Sequence, residues 1–440
     1  MLIVKTFTKD KFICRIPFTG KTVFLRQRKQ RFLAGCAVFL LTGFCLYGAV
    51  WTVYGFKSDF PEIPPKALAV RDYQNFADNC RGGFVPDTMK FMGNHKILPR
   101  TFVYGFLHTY HFSQKRWSFL DGKTSMYGFK HFFPLVFLYK TPAAVVLALL
   151  AGFCCIPLIR KNAVSRARIK ILFPYLLFGL YFFGMAVFSK LNIGYRHLMP
   201  SILSLLPMTA LGFRYFVEQF KRTESKHKKL LFALPLLLPV WNAWDSMRVF
   251  PHSLAYFNPL FGSNKDAYQH ICDSSLDWGQ DILNIKPVLQ KHQIPLDGSV
   301  PVYLTYFGSV PDAFAGLPNA RLHPFSTDAQ SVNDFLYDFE PGYYLISNTC
   351  LQGYHRTPVF AKLLNNPSTL LEFMLVYYET AAQGGIDPGS RNYEHVVLEI
   401  RNFQALRHEI LRQYIRKMPP LFQINYSINC YYLTEQDLQA

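Results

Sequence analysis

The stretch that decides the fold covers residues 32–56, FLAGCAVFLLTGFCLYGAVWTVYGF, and has 25 residues without a charge. The hydrocarbon core of a bilayer is about 30 Å thick, and a helix of about 20 apolar residues crosses it. We therefore predict that this stretch is a transmembrane helix. The composition agrees, because the chain is 50% hydrophobic and only 17% charged, whereas soluble domains carry about 25% charged residues.

Four further apolar stretches predict four more transmembrane helices. Residues 141–159 and 171–189 give 19 apolar positions each. Residues 198–213 and 230–244 give only 16 and 15, and both contain prolines, which interrupt helices. The sequence thus predicts an α-helical membrane protein with about five transmembrane helices.

The basic residues are concentrated in three segments between these stretches. Residues 1–31, 160–170 and 214–229 hold 20 Lys and Arg and three Asp and Glu, a net +17 of the chain's +19. Short loops rich in Lys and Arg mark the cytoplasmic side of a membrane. Because these segments alternate along the chain, we expect the inner or plasma membrane, a cytoplasmic N-terminus and an extracytoplasmic C-terminus. The basic charge then reports topology, and we expect no nucleic acid as a partner.

Two long segments are expected outside the membrane. In residues 57–130, short helices are predicted at the membrane surface for residues 69–76 and 100–112. Residues 245–440 hold 13 Lys and Arg against 19 Asp and Glu, and they mix helix and strand patterns, which predicts a small α/β domain. The predicted order is a basic cytoplasmic N-terminus (1–31), a span (32–56), an extracytoplasmic loop (57–130), a four-helix membrane region with basic cytoplasmic loops (131–244) and an extracytoplasmic α/β domain (245–440).

Individual elements of the C-terminal domain follow from the periodicity of its apolar residues. Helices are predicted for residues 280–292 and 357–365. Strands are predicted for residues 302–307, 343–347, 373–378 and 396–400. The four cysteines of the outer segments, which either form disulfides or stay free, are Cys80, Cys272, Cys350 and Cys430.

Cations also occur at the outer ends of the predicted spans, where the positive-inside bias disfavours them. These cations and their histidine neighbours are Lys130, His131, Lys140, Lys190, Arg196 and His197. A cation within reach of hydrocarbon is a functional-site hypothesis by default, and an obvious use is to bind the phosphate of a lipid carrier. Alternatively, these side chains snorkel and anchor helix ends. The candidates for phosphate binding are Arg196, Lys140, His197 and Lys190.

A second candidate site is the stretch DSSLDWGQD, in which Asp273, Asp277 and Asp281 are spaced by four residues. Carboxylates could bind a metal ion or act as a general base. Alternatively, Ser275 or Asp277 caps the helix that follows. The sequence has no nucleotide-binding glycine motif and no Cys-x-x-Cys pair, so we expect no cofactor and no resident metal.

Three stretches resemble segments of bacterial polytopic glycosyltransferases. They are SFLDGKTSMYGFKHFFPLVFLYKTP (118–142), YRHLMP (195–200) and LAYFNPLFGSNKDAYQHICDSSLDWGQ (254–280). Taken together, the chain resembles the C-terminal half of a GT-C type, polyprenyl-phosphate-sugar-dependent glycosyltransferase of the protein mannosyltransferase-like superfamily. The resemblance covers about residues 32–302, and LAYFN and DSSLDWGQD are its most specific parts.

The resemblance implies transfer of a sugar from a polyprenyl-phosphate donor to an acceptor on the outer face, with Arg196 and Lys140 at the donor phosphate. In that family the catalytic acid lies in the first outer loop of a longer chain that has several more N-terminal spans. This sequence has neither the expected acidic pair nor those spans. We therefore expect either a split or truncated half whose partner chain supplies them, or a chain that has lost activity. The alternative is a non-catalytic membrane protein whose extracytoplasmic α/β domain binds a partner or a lipid.

Overall fold

The structure is a computed structural model that describes residues 12–15, 22–25, 27–58, 83–159, 163–323, 336–353, 367–383, 385 and 393–439. Helices predominate, and a sheet occupies the C-terminal part. The chain divides into two compact units, Met1–Lys115 and Arg116–Ala440.

The first unit is built around one long apolar helix, α1. None of the most apolar 18-residue window of this helix is buried within the protein, as expected for a helix whose neighbours are lipids. Beyond its C-terminal end, the backbone amide of Arg100 donates to the carbonyl of Ser58 at 2.8 Å. The elements of this unit are β1 (Phe12–Arg15), β2 (Thr22–Leu25), α1 (Arg28–Val53), α2 (Phe84–Asn94) and α3 (Arg100–Gln114).

The second unit begins with a short hairpin and continues with a group of apolar helices. Two of these helices, α5 (Ala143–Ile159) and α7 (Met199–Arg222), pack closely, because Gly152 and Gly212 face each other and leave no room for a Cβ. Small residues allow such close approach of two apolar helices. The elements are β3 (Ser118–Leu120), β4 (Lys123–Ser125), α4 (Phe132–Lys140), α5 (Ala143–Ile159), α6 (Ala163–Phe188), α7 (Met199–Arg222), α8 (Lys226–Ala233) and α9 (Leu238–Val249).

Among the described residues, three helical stretches are long and apolar enough to cross a membrane. They are Arg28–Val53, Ile169–Phe188 and Lys226–Val249, which overlap the predicted spans 32–56, 171–189 and 230–244. Helices α4 and α5 pass the same criteria only as a pair and meet at a bend of 111°. Helix α7 overlaps the predicted span 198–213 without being one of the three. It is continuous through Pro207, so the prediction that this proline interrupts the helix is wrong.

The C-terminal sheet has five strands in the order β6-β5-β7-β9-β8. Strand β5 is parallel to β6 and β7, whereas β9 is antiparallel to β7 and β8. The strands are β5 (Val302–Thr305), β6 (Arg321–Leu322), β7 (Gly342–Ser347), β8 (Phe422–Ile424) and β9 (Ile428–Leu433).

Successive side chains of a strand point to opposite faces of the sheet, and both faces of this sheet are covered by other elements. On one face, the rings of Tyr303 and Tyr344 stack with centroids 4.3 Å apart, in a cluster that includes Ile415 of α13. On the other face, Leu304 and Leu345 pack in a cluster with residues of α10. The remaining helices are α10 (Ile285–Lys291), α11 (Asn348–Leu351), α12 (Pro367–Ala382), α13 (Tyr393–Ile415) and α14 (Glu435–Gln439).

The structure confirms the predicted strands 302–307 and 343–347 and the predicted helix 100–112 in their main parts. The predicted strands 373–378 and 396–400 are wrong, since both segments lie in helices, α12 and α13. Their aromatic and β-branched residues favour strands locally, but Tyr377 packs on Ile400 and Phe403 as one helix against another. The predicted helix 280–292 is regular only from Ile285 to Lys291. The predicted helices 69–76 and 357–365 lie outside the described residues.

Candidate functional site

Lys140 is the last residue of α4, and its side chain is buried, with 7% of its surface exposed. The Nζ atom donates to the backbone carbonyls of Leu254, at 2.7 Å, and Tyr256, at 2.5 Å. No carboxylate pairs with this ammonium group in the part of the chain that the structure describes. A buried carboxylate on α9, Asp245, instead pairs with Arg248 at 2.8 Å. Two carbonyl hydrogen bonds leave one of the three N–H donors of a lysine ammonium group for an anion.

The bend after Lys140 is held by Asn258, which ends the LAYFN stretch. Its side-chain amide donates to the carbonyls of Leu138, at 2.9 Å, and Thr141, at 3.0 Å. Its backbone amide donates to the carbonyl of Tyr139 at 2.7 Å. The end of a helix leaves carbonyls without intrahelical partners, and Asn258 satisfies them from a position more than a hundred residues away in the chain. The LAYFN stretch therefore positions Lys140 in two ways. The carbonyls of Leu254 and Tyr256 accept hydrogen bonds from its Nζ, and the amide of Asn258 binds the carbonyls on either side of it.

Arg196 lies in a short 3-10 helix, Tyr195–Leu198, directly before α7. Its guanidinium carbon lies 5.1 Å from the ring centroid of Trp278, a cation–π contact. The described residues offer this guanidinium no ion pair. Two serines hold the same backbone: Ser275 Oγ accepts from the amide of Tyr195 at 3.0 Å, and Ser274 Oγ donates to the carbonyl of Ile193 at 2.8 Å.

These segments together form a pocket of about 320 Å³ that contains both Lys140 and Arg196. Two of the cations selected from the sequence are thus brought to one cavity, although they lie 56 positions apart. The other described residues of the lining carry no charge. They are Pro142, Tyr195, Met199, Ser246, Val249, Ser253, Leu254, Tyr256, Ser274 and Ser275.

A second cavity, an apolar groove of about 380 Å³, is lined mainly by residues of α5, α7 and α9. The pocket uses Pro142, before α5, and Met199, at the start of α7, whereas the groove uses residues further along both helices. From Pro142 to Ala151, nine residues, a helix extends about 14 Å. Most of the groove lining is aliphatic or aromatic, and it includes Ala144, Ala148, Ala151, Leu206, Ala210, Phe213 and Leu238.

The two other predicted phosphate ligands lie outside the pocket lining. Lys190 is exposed. His197 packs against the ring of Phe133, at a centroid distance of 6.5 Å, and its buried Nε2 has no hydrogen-bond partner among the described residues. Burial lowers the pKa of His197, and the charges of Arg196 and Arg116 lower it further. His197 is therefore neutral near pH 7 and adds no positive charge.

The three carboxylates of the DSSLDWGQD stretch are buried and hold the chain together. Asp281 accepts from Ser427 Oγ, at 2.6 Å, and from Asn425 Nδ2, at 2.8 Å. Asp277 accepts from the backbone amide of Thr349 at 3.0 Å. Asp273 accepts from the amide of Ser274. These bonds connect residues 273–281 to α11 and to the turn between β8 and β9.

Burial also shifts the acidity of two of these carboxylates. It raises the pKa of Asp277 to about 7, against the opposing effect of hydrogen bonds from Thr349 and Gly279. It raises the pKa of Asp273 as well, an effect that the nearby charges of Arg116 and Arg196 partly offset. The described residues contain no group of three or more His, Cys, Asp or Glu side chains that could hold a metal ion. The cysteines of this region, Cys272, Cys350 and Cys430, are buried free thiols, and Cys80 lies outside the described residues.

Several residues of this site were not selected from the sequence. Asn258 and Trp278 belong to stretches that were noted, but their partners lie far away in the chain. Asp121, in the turn between β3 and β4, accepts from the hydroxyl of Tyr139 and lies 2.8 Å from Nδ1 of His270. An Asp-Gly-Lys turn signal does not predict such a contact across 149 positions.

A scan of the chain against protein-family models finds no match, and searches among curated proteins and among solved structures find none either.

Proposed function

We propose that this chain is an integral-membrane glycosyltransferase, or the C-terminal half of one, of the GT-C type. It transfers a sugar from a polyprenyl-phosphate donor to an acceptor on the outer face of the membrane. Lys140 and Arg196 bind the donor phosphate. The observation that carries the proposal is the buried side chain of Lys140, whose Nζ has no carboxylate partner among the described residues and which shares its pocket with Arg196.

The form of the two cavities supports an amphiphilic ligand. A buried cation is costly unless it is paired, so a pocket whose described lining has two basic residues and no acid favours an anion. The apolar groove is lined by residues of α5, α7 and α9, and it suits a hydrocarbon chain because its lining is mostly apolar. A lipid phosphate combines both parts in one molecule.

The reaction that follows is a displacement at the anomeric carbon of the sugar. The acceptor oxygen forms a bond to that carbon, and the bond from the carbon to the phosphate oxygen breaks. The electron pair leaves with the polyprenyl phosphate, and the acceptor hydroxyl gives its proton to a base. Cations at the departing phosphate stabilise the charge that develops there, which is the role we assign to Lys140 and Arg196.

The same proposal includes the finer topology. It has about five spans, a cytoplasmic N-terminus and an extracytoplasmic C-terminal domain, and the pocket opens to the outer face. The excess of Lys and Arg in residues 1–31, 160–170 and 214–229 supports this orientation. Since no carboxylate of the described residues lines the pocket, the base comes from elsewhere in this chain or from a partner chain.

The test uses the purified full-length chain with a radiolabelled polyprenyl-phosphate sugar and membrane acceptors. We expect label transfer, and we expect Arg196→Ala to reduce it about tenfold or more, as for loss of a charged hydrogen-bond donor. The matched control is Lys130→Ala, because Lys130 is an exposed cation that does not line the pocket. Equal transfer by the Arg196→Ala and Lys130→Ala variants would remove the assigned phosphate site.

The absence of any Asp, Glu or His from the described pocket lining favours a second candidate function. In this alternative, the chain binds an anionic membrane lipid without chemistry and displays its α/β domain to a partner. The two functions differ in one result. A chain that binds the lipid phosphate through Arg196 but transfers no label, alone or with a co-expressed neighbouring chain, is the non-catalytic protein.

A further inference from the structure

The guanidinium of Arg196 contacts an aromatic ring and no carboxylate among the described residues. The ring is the indole of Trp278. An acidic partner would neutralise the charge and occupy the donors, whereas an aromatic face attracts the cation and leaves its N–H groups available.

Trp278 is 47% exposed, but its ring has a second aromatic neighbour and the backbone around it is hydrogen-bonded. The ring of Trp278 meets the ring of Phe307 edge to face, with centroids 5.7 Å apart. The backbone amide of Trp278 donates to Gln280 Oε1 at 2.8 Å. The next residue, Gly279, has φ +73° and its carbonyl accepts from the hydroxyl of Tyr306 at 2.6 Å.

The serines that precede this tryptophan hold the backbone beside Arg196. The amide of Tyr195 donates to Ser275, and Ser274 donates to the carbonyl of Ile193. A Cβ at position 194 would collide with the side chain of Ser274, so the two segments touch at Gly194. The stretch from residue 274 to residue 278 therefore contacts both the backbone and the side chain of the arginine segment.

We propose that Trp278 is a positioning residue for anion recognition: it holds the Arg196 guanidinium at the pocket by a cation–π contact while the charge and the N–H donors stay available. This inference rests on the proposed function, because it takes Arg196 as a ligand of the donor phosphate. It gives the DWG part of the DSSLDWGQD stretch a role other than metal binding or general base catalysis.

The experiment compares the affinities of the full-length chain in detergent for polyprenyl phosphate and for the polyprenol of the same length. The dissociation constant for polyprenol divided by that for polyprenyl phosphate gives the selectivity for the phosphate. We expect Trp278→Leu to reduce this ratio about two- to fivefold, the size of a partly exposed cation–π contact. Trp278→Phe keeps an aromatic face, and we expect it to retain most of the selectivity. The matched control is Phe314→Leu, an exposed aromatic residue of the same domain that lies outside the pocket lining.

A double-mutant cycle separates positioning from a general loss of structure. In an Arg196→Ala background, Trp278→Leu should cause no further loss of the ratio. If Arg196→Ala reduces the ratio while both Trp278 variants leave it unchanged, the positioning role is overturned and the phosphate site stands. Equal losses with Trp278→Leu and Trp278→Phe, or additive losses in the double variant, also overturn it. If Arg196→Ala leaves the ratio unchanged, the phosphate site fails and the inference fails with it.

Discussion

Replacing Lys140 by methionine tests the buried amino group directly, because methionine keeps an unbranched apolar side chain, with sulfur in place of one methylene, and lacks the amino group. The structure predicts two opposing effects on stability. The carbonyls of Leu254 and Tyr256 lose a donor, which costs about 1–3 kcal/mol for each buried group left unsatisfied. The removal of a buried charge without an anionic partner offsets part of this cost. We therefore expect the variant to fold, with a modest change in unfolding midpoint.

The effect of Lys140→Met on anion binding should be larger than its effect on stability, and it should only weaken binding. A hydrogen bond from a charged donor contributes about 1.5–3 kcal/mol, which corresponds to about a ten- to hundredfold change in dissociation constant. Lys140 has one donor left after its two carbonyl bonds, so we expect a loss within this range for polyprenyl phosphate. The neutral polyprenol of the same length should bind as before, because the apolar groove is untouched.

The assay is equilibrium binding of both lipids to the purified chain in detergent, with unfolding midpoints measured in parallel. Lys190→Met is the matched control, since Lys190 was also selected from the sequence but is exposed and does not line the pocket. The reasoning is refuted if the Lys140→Met and Lys190→Met variants lose the same affinity, or if Lys140→Met weakens polyprenol and polyprenyl phosphate equally.

Three further predictions concern the scaffold of the site. Asn258→Ala removes two hydrogen bonds to carbonyls at the end of α4 and should lower the free energy of unfolding by about 1–3 kcal/mol; an unchanged denaturant midpoint contradicts this. In Gly152→Ala, the new Cβ would collide with the backbone of α7, so we expect the free energy of unfolding to fall by about 1–3 kcal/mol. The control is Gly184→Ala, whose Cβ meets no atom of the described residues within 4 Å, and it should leave the same free energy unchanged. Burial raises the pKa of Asp277 from its ordinary 3.8 to about 7, so the folded state binds this proton more tightly than the unfolded state does. Stability should fall as pH rises from about 4 to about 7, by about 4 kcal/mol at most from this group. Unfolding free energies measured against pH should lose this part of the slope in Asp277→Asn; identical slopes refute the assignment.

The sequence predicted the apolar helices and the two cations of the pocket because both are local signals. The length of an apolar run can be compared directly with the length needed to cross a membrane. Lys140 stands out because it follows eight apolar residues at the predicted outer end of a span. The same local patterns predicted strands β5 and β7 in their main parts. These features depend on residue type and spacing within one window.

The contacts that assemble the site could not be predicted in this way. Asn258 reaches the end of α4 across 120 positions, and Trp278 reaches Arg196 from another segment. The two wrong strands have the same origin, because Tyr377 and Ile400 are buried by a neighbouring helix and not by a sheet. Tertiary packing overrides local propensity for such short apolar segments.

The measurement that tests the central claim most directly is photo-crosslinking of the full-length chain with a polyprenyl phosphate that carries a diazirine in its hydrocarbon chain. The account predicts crosslinked peptides from the groove lining of α5, α7 and α9, with labelling lost to excess unlabelled polyprenyl phosphate and weakened in the Lys140→Met variant. Labelling spread evenly over all apolar helices, or labelling that excess polyprenol displaces as well as polyprenyl phosphate does, would contradict it.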